Sequence, residues 1–416
     1  MTESVTPTVG GSTAAPATTS LAAATDAALA VVDENVGTFG DRYPGDTTIG
    51  GRYELRPAAR ISGRDLPPGS NYEWTTSFWP GELWLAWELT GRDVYRDLGL
   101  AHVANFVWRV EEEVDLHTHD LGFLYTLACV TPDRLVGSPE GRRAALAAAD
   151  HLMKRFLEPA GIIQAWGDLE TSPEQRGRTI IDSLMNMPLL HWASEQTGDP
   201  RYEDAARRHV AQLRDRIVRD DDTTFHTFHW DVATGEPRFG STQQGYADDS
   251  CWARGQAWGI YGFALNHRWT GEATFLDTAV RCAEYFLAHL PRDRVAYWDL
   301  VFSDGDDQPR DSSAASIAAC GLLELAAELE RSPRGGELSA ADAERVERYR
   351  REAREMVDSL ATSYAGGAAN GSNALLLHGV YDWRTDKGVD EGNLWGDYFY
   401  LEALMRLQRP DWVPYW

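Results

Sequence analysis

TGRDVYRD at residues 90–97, TGDPRYED at 197–204 and TGEATFLD at 270–277 are three copies of one pattern: Thr-Gly, three variable residues, an aromatic, one more residue, Asp. Glycine in such a place is a helix stop, because it reaches left-handed backbone angles without a Cβ clash. Before the copies come apolar, Trp-rich stretches (FWPGELWLAWEL, SLMNMPLLHWASEQ, ARGQAWGIYGFALNHRW), and after them come charged amphipathic ones. A buried-type helix, a tight turn and a half-exposed helix make a helical hairpin.

Extending the pattern along the chain places buried-type helices from about residues 78, 120, 182, 253, 312 and 394. Amphipathic helices are expected over about 21–33, 95–110, 141–157, 201–218, 274–290 and 342–362. Six of each predicts an all-α fold, an (α/α)6 barrel in which six inner helices are ringed by six outer ones. An open solenoid of the same hairpins is the alternative; against it, the last helix, NLWGDYFYLEALMRL, is too aromatic for a polar cap. Residues 1–20, rich in Thr, Ser, Pro, Gly and Ala, read as a disordered tail, and 21–416 as a single barrel domain. The stretch RSPRGGELSAADAE at 331–344 reads as a surface loop between two helices.

The 416 residues are 43% hydrophobic and 11% aromatic, enough for a large core, and carry a formal charge of -25. That charge argues against nucleic acid and anionic membrane as partners, since phosphate binding needs clustered Lys and Arg. An anionic substrate would have to be met by a local exception to it. No apolar run approaches the roughly 20 residues of a membrane span, and no leader segment is evident. The four cysteines, at 129, 251, 282 and 320, have no metal-ligand spacing and read as reduced thiols of a cytoplasmic protein. Nothing in the pattern sets an oligomeric state.

In such a barrel the loops leading into the inner helices open on one face, so residues distant in sequence converge there. These approaches are NYEWTTSFW, HTHDLGF, RTIIDSLMN, YADDSCWARGQAW, RDSSAAS and KGVDEGNLWGDY. Asp120 and Asp182 stand at two of them. Each reads either as a helix N-cap, with Ser183 able to share the second role, or as half of a carboxylate pair. Facing each other in apolar surroundings, as Ile180 and Ile181 suggest, one of them would keep its proton. Arg254, between Trp252 and Trp258, suits a carboxylate ligand, or an ion pair with Asp248 or Asp249. Trp74, Trp79 and Trp166 at loop positions could stack on a sugar ring. His226 and His229 are three apart, but no third metal ligand matches their spacing; His226 reads as a hydrogen-bonding group at the pocket, with Gln243 and Gln244 near the same rim. No phosphate-cradling loop, Ser or Cys nucleophile motif or dinucleotide fingerprint is present, so no cofactor is expected.

Four of these motifs together, HDLGF, IIDSLMN, SCWARGQAWGIYG and GVDEGNLWGDYFYLEAL, resemble the unsaturated glucuronyl hydrolases, glycoside hydrolase family 88, over about Trp74 to Leu404. The resemblance implies the six-hairpin α/α-barrel, no metal or cofactor, and a small oligosaccharide substrate whose non-reducing end is a 4,5-unsaturated uronic acid. It assigns Asp120 and Asp182 as the catalytic pair and Trp74, His119, Trp166, His226, Gln244, Trp252, Arg254 and Trp258 as substrate-binding residues. The implied chemistry is hydration of the C4=C5 enol ether, with Asp182 as general acid and base and an ionised Asp120 beside it, rather than attack at the anomeric carbon. Relatives handling sulfated fragments carry a Ser and Lys cluster where this chain has Arg384, Thr385 and Lys387, which read as a solvated turn or as a sulfate-facing group. The alternatives are an unsaturated rhamnogalacturonyl hydrolase of the same fold, a sugar 2-epimerase, which would want a His pair in the barrel mouth, and a non-enzymatic binding scaffold.

Overall fold

The structure, a computed structural model, describes residues 19–170, 175–331 and 337–416. In chain order its helices are α1 (Leu21–Phe39), α2 (Phe78–Thr90), α3 (Asp93–Glu111), α4 (Leu121–Tyr125), α5 (Thr131–Val136), α6 (Pro139–Met153), α7 (Met187–Thr197), α8 (Pro200–Arg216), α9 (Ala253–Thr270), α10 (Ala273–Ala288), α11 (Ser312–Arg331), α12 (Ala340–Ser359) and α13 (Leu394–Gln408). A π-helical turn, Thr126–Val130, joins α4 to α5, and a 3-10 turn, Ile181–Asn186, leads into α7.

The Thr-Gly repeat is the hinge of three hairpins, and its threonine, glycine and aromatic residues each have a physical task. Gly91, Gly198 and Gly271 stop α2, α7 and α9 in left-handed conformation. The preceding threonine hydroxyl donates back to the carbonyl four residues earlier, at 2.7, 2.7 and 2.6 Å for Thr90, Thr197 and Thr270. The same oxygen accepts the N–H two residues ahead, so the turn is closed by one side chain. The aromatic of the repeat, Tyr95, Tyr202 or Phe275, is then buried and anchors the outer helix.

Among the described residues, α2, α4 with α5, α7, α9, α11 and α13 form the inner ring, and α1, α3, α6, α8, α10 and α12 surround it. The ring closes: α13 packs against α2 as well as α11, and α1 lies against both α13 and α2. An open solenoid is thereby ruled out. Residues 1–18 of the expected tail lie outside the described residues, while Ser20 belongs to the fold as the cap of α1, its Oγ accepting the Ala23 N–H. Residues 332–336 of the expected surface loop also lie outside the described residues, and Ser339 caps α12.

Two expectations are corrected. Trp79 is not a loop residue but lies fully buried within α2, its indole donating to the Gly40 carbonyl. α11 is in fact long and apolar enough to cross a membrane, at a mean hydropathy of 1.3, yet 89% of that window is buried as an inner helix. The four cysteines are buried and unpaired.

Short strands decorate the mouth. They are β1 (Ala59–Ile61), β2 (Arg64–Leu66), β3 (Phe156–Leu157), β4 (Ile162–Ile163), β5 (Arg178–Ile180), β6 (Thr227–Trp230), β7 (Pro237–Ser241), β8 (Gly379–Asp382) and β9 (Lys387–Glu391), all antiparallel, in the sheets β1-β2, β3-β4, β5-β6-β7 and β8-β9.

One close approach sets the spacing of the mouth. A Cβ on Gly122, at the start of α4, would lie 2.2 Å from the Asn186 Cα, and that backbone has no room to yield. Gly122→Ala therefore forces α4 away from the Ile181–Asn186 turn at a cost of about 1–3 kcal/mol. A chemical denaturation curve should show a lower midpoint; an unchanged midpoint would mean that the two elements do not touch as described.

Candidate active site

Five of the six inner-helix approaches deliver side chains to one cavity at the barrel mouth. Trp74 precedes α2, Asp120 precedes α4, and Asp182 sits in the 3-10 turn before α7. Trp252, Arg254 and Trp258 come from the start of α9, and Tyr381 comes from β8 ahead of α13. Trp166, from the loop after β4, and His226 and Gln244, from the two ends of the β6-β7 hairpin, complete the wall.

Asp120 occupies the N-cap position of α4, its carbonyl accepting the Leu124 N–H, but its side chain does not do the capping. The Asp120 carboxylate makes no capping bond; the side-chain carbonyl of Asn186 accepts the Phe123 N–H at 2.7 Å in its place. Asp182 follows the capping position, and Ser183 is committed elsewhere. It donates to the Ile180 carbonyl at 2.6 Å and meets His209 Nε2 at 2.7 Å. Both carboxylates are therefore available at the cavity floor.

They meet through His119. Its Nε2 lies 3.3 Å from Asp120 Oδ1 and 3.5 Å from Asp182 Oδ1. His119 is fully buried beneath the pair and does not line the cavity, which corrects the expectation that it contacts substrate. Burial, helped by the nearby Arg155 charge, pushes its pKa down to about 3, so the imidazole is neutral.

The two acids have unlike surroundings. Asp182 is held well above the usual carboxylate range, first by burial and then by the Asp120 charge, with Arg254 opposing. Its outer face opens on the cavity, 19% of the side chain being accessible, but the carboxyl sits at the floor of a concave site with Oδ1 sealed from solvent. Asp120 is raised less, to about 6, because hydrogen bonds from Thr118 and Asn186 and the charge of Arg155 offset its burial. The Thr118 hydroxyl donates to Asp120 Oδ2 at 2.6 Å. At neutral pH the pair thus carries one negative charge, on Asp120, and one proton, on Asp182.

The walls are fixed by hydrogen bonds. His226 Nδ1 accepts the Gln243 and Gln244 N–H groups at 3.0 and 3.1 Å, so its proton resides on Nε2 and the ring is a neutral donor. His229 turns to Ser241 and stacks on Phe239, so the two histidines share no ligand site. Trp74 Nε1 donates to the Tyr381 hydroxyl at 3.0 Å. Arg254 pairs with buried Asp311 at 2.6 Å, not with Asp248 or Asp249, and also donates to Gln244 Oε1 and to the Val380 and Tyr381 carbonyls. Its guanidinium lies over the Trp252 ring, 4.6 Å from the centroid.

The 384–387 segment is an exposed turn, as one reading of the sequence has it, but it is tied back to the mouth. Arg384 donates to the Gly245 and Tyr246 carbonyls, and Lys387 bonds Asp46 at 3.0 Å while lying 4.0 Å above the Tyr381 ring.

Nine of the ten residues named from sequence line the same cavity, and the tenth underlies it. Sequence reasoning missed Tyr381, Asn186, Thr118, Arg155 and Asp311. Asn186 was within reach, being four residues after Asp182 in the same helical motif, and Asp311, which holds Arg254, stands in the quoted approach RDSSAAS, though nothing there pairs it with Arg254.

His119, Asp120 and Asp182 also offer ligand atoms all within 4.8 Å of one another, spacing that a cation would accept. A divalent ion there would have to displace the proton that burial keeps on Asp182.

The geometry agrees with what the chain is similar to. Residues 54–325 match the model of Glycosyl Hydrolase Family 88. An unsaturated chondroitin disaccharide hydrolase of Streptococcus pneumoniae is 42% identical over 393 residues, 94% of this chain and 93% of that protein. The crystal structure of an unsaturated glucuronyl hydrolase from Streptococcus agalactiae superposes with a TM-score of 0.86 at 41% identity, covering 95% of this chain and 93% of that one. A further solved structure, which holds dGlcA-Glc-Rha-Glc, gives a TM-score of 0.83 at 42% identity over 93% of this chain and 96% of that one. With a closed ring of helical hairpins, two buried carboxylates at its mouth and this degree of likeness along nearly its whole length, the chain belongs to glycosyl hydrolase family 88 and is a glycoside hydrolase.

Proposed function

We propose that this hydrolase removes a 4,5-unsaturated uronic acid from the non-reducing end of a small oligosaccharide, with Asp182 as general acid and base and Asp120 as its ionised partner. The observation that carries the reading is the unequal pair, one proton on two carboxylates at a cavity floor. The names of the relatives, unsaturated chondroitin disaccharide hydrolase and unsaturated glucuronyl hydrolase, support the substrate class. Family membership removes the epimerase and scaffold readings. The buried, unpaired cysteines support a cytoplasmic setting.

In this reading the Asp182 carboxyl gives its proton to C4 of the enol ether. Positive charge develops at C5 and the ring oxygen and is steadied by ionised Asp120. Water adds at C5, and the Asp182 carboxylate, now free of its proton, takes one from that water. The resulting hemiketal opens, the bond to the next sugar breaks, and the residue is released as a keto acid. The neutral His119 ring lies beneath the two carboxylates and adds no charge to the pair. The indoles of Trp74, Trp166, Trp252 and Trp258 exclude water and face the sugar, while the neutral donor His226 and the Arg254–Gln244 pair orient its polar groups.

Loss of the near-ultraviolet absorbance of the unsaturated bond measures the reaction directly. Asp182→Asn should lower kcat on an unsaturated disaccharide by about 100- to 10,000-fold, the range of general acid–base catalysis; wild-type decay in that variant sinks the assignment. The pH profile of kcat/KM should rise through about 6 as Asp120 ionises and fall at higher pH as Asp182 loses its proton. Asp120→Asn should remove the acid limb and move the alkaline limb to lower pH, because the charge that helps hold the Asp182 proton is gone. Dialysis against a chelator should leave the rate unchanged; a loss restored by a divalent cation would turn the same three side chains into a metal site.

A further inference from the structure

Two aromatic side chains outside the cavity have no part in the reading above. Tyr246 is 51% exposed and Trp383 is 40% exposed. Each stands two residues beyond a side chain of the cavity wall, Gln244 and Tyr381 respectively, so each Cα lies within about 7 Å of that wall residue's Cα.

Both rings rest on a rigid bed. Trp383 stacks on fully buried Trp298, with centroids 4.9 Å apart and planes 14° from parallel, so its exposure falls on the opposite face. Tyr246 packs edge-on against Phe302 and Trp298, at 5.2 and 6.2 Å. Its N–H donates to Asp299 Oδ2 at 2.9 Å, and the Ser250 hydroxyl donates to the same oxygen at 2.6 Å. Arg384 then ties the two loops together, its Nε and Nη2 reaching the Gly245 and Tyr246 carbonyls at 2.9 and 3.0 Å.

We propose that Trp383 and Tyr246 form a stacking platform for the leaving-side sugars of a longer substrate, beyond those that enter the cavity. The inference rests on the activity proposed above. Aromatic rings held in place from beneath and bared above suit the apolar C–H face of a pyranose, and their ordering cost is met before the ligand arrives. The continuity of both loops with the cavity wall favours the rest of the same substrate over a protein partner as the occupant. The enzyme is then a better catalyst on tri- and tetrasaccharides than on disaccharides, and it gains this at the platform rather than at the two carboxylates.

The test compares an unsaturated disaccharide with an unsaturated tetrasaccharide of the same backbone by ultraviolet decay, in the wild type and in Trp383→Ala, Tyr246→Ala and Trp383→Phe. Each alanine variant should lower the tetrasaccharide-to-disaccharide ratio of kcat/KM by about 5- to 10-fold, through KM rather than kcat, while the disaccharide value changes by no more than about twofold. Trp383→Phe, which keeps a ring, should restore most of the ratio. An unchanged ratio in both alanine variants, or an equal loss on both substrates, overturns the platform while the hydration reaction stands. Absence of decay on either substrate in the wild type overturns the hydration reading, and the platform with it.

Discussion

Two carboxyl groups within 3.5 Å of one neutral imidazole, at the floor of a cavity walled by indoles, are not both ionised at neutral pH. Much of the mouth is arranged to decide which one is. Asp120 receives the Thr118 hydroxyl, the Asn186 amide and the charge of Arg155, all of which favour the anion. Asp182 receives burial and the field of Asp120, which favour the acid, and Arg254 reduces this effect without cancelling it, its charge being shared with Asp311. A charged imidazole in the place of His119 would stabilise both anions and erase the difference; its complete burial keeps it neutral.

The barrel supplies the proximity that this asymmetry needs. Helix caps ordinarily consume aspartates at helix starts, yet here Asn186, reaching across from the neighbouring turn, caps α4 and leaves Asp120 free. That reach is possible because Gly122 lets the two backbones touch. The close crossing is in turn held by the ring, since inner helices buried on nearly all sides cannot separate without opening the core. The hinges on the far side, with their threonine hydroxyls bonded in both directions, fix where three of these helices end and hence where their partners begin.

The hairpin count, the helix starts and the closed ring were legible in the sequence because they repeat. A pattern of Thr, Gly and a buried aromatic at constant spacing records a local constraint, and local constraints leave periodic traces. The site was legible in part, for a related reason: residues at inner-helix starts converge by topology, so Asp120, Asp182 and Arg254 could be placed together without knowing any distance. What escaped was the second layer. Arg254 faces Asp311, 57 residues away, instead of the nearby Asp248 or Asp249, because the start of α11 is its neighbour in the ring. His119 adjoins Asp120 in sequence but lies beneath it in space, a difference set by the pairing of its N–H with the Ala165 carbonyl. Tyr381 sits on a short hairpin strand with no periodic signal. α11 reads as too short an apolar run when scanned for unbroken hydrophobicity, because Glu324 and Glu328 interrupt it; both are buried and face arginine or histidine on the adjacent inner helices α9 and α13.

A protein of formal charge -25 that takes an anionic sugar faces repulsion everywhere except where charge is locally reversed. The cavity does this sparingly. Its cationic side chain, Arg254, already holds an aspartate, and its histidine is neutral. The remaining polar donors, the His226 ring and the Gln244 amide, carry dipoles rather than charge. The reason lies in the proton: a second unpaired cation beside Asp182 would stabilise its carboxylate and strip the acid of the proton it has to deliver. The site therefore balances two opposed demands, enough positive field to admit a uronate and too little to ionise Asp182, and an arginine half-neutralised by its own buried aspartate satisfies both.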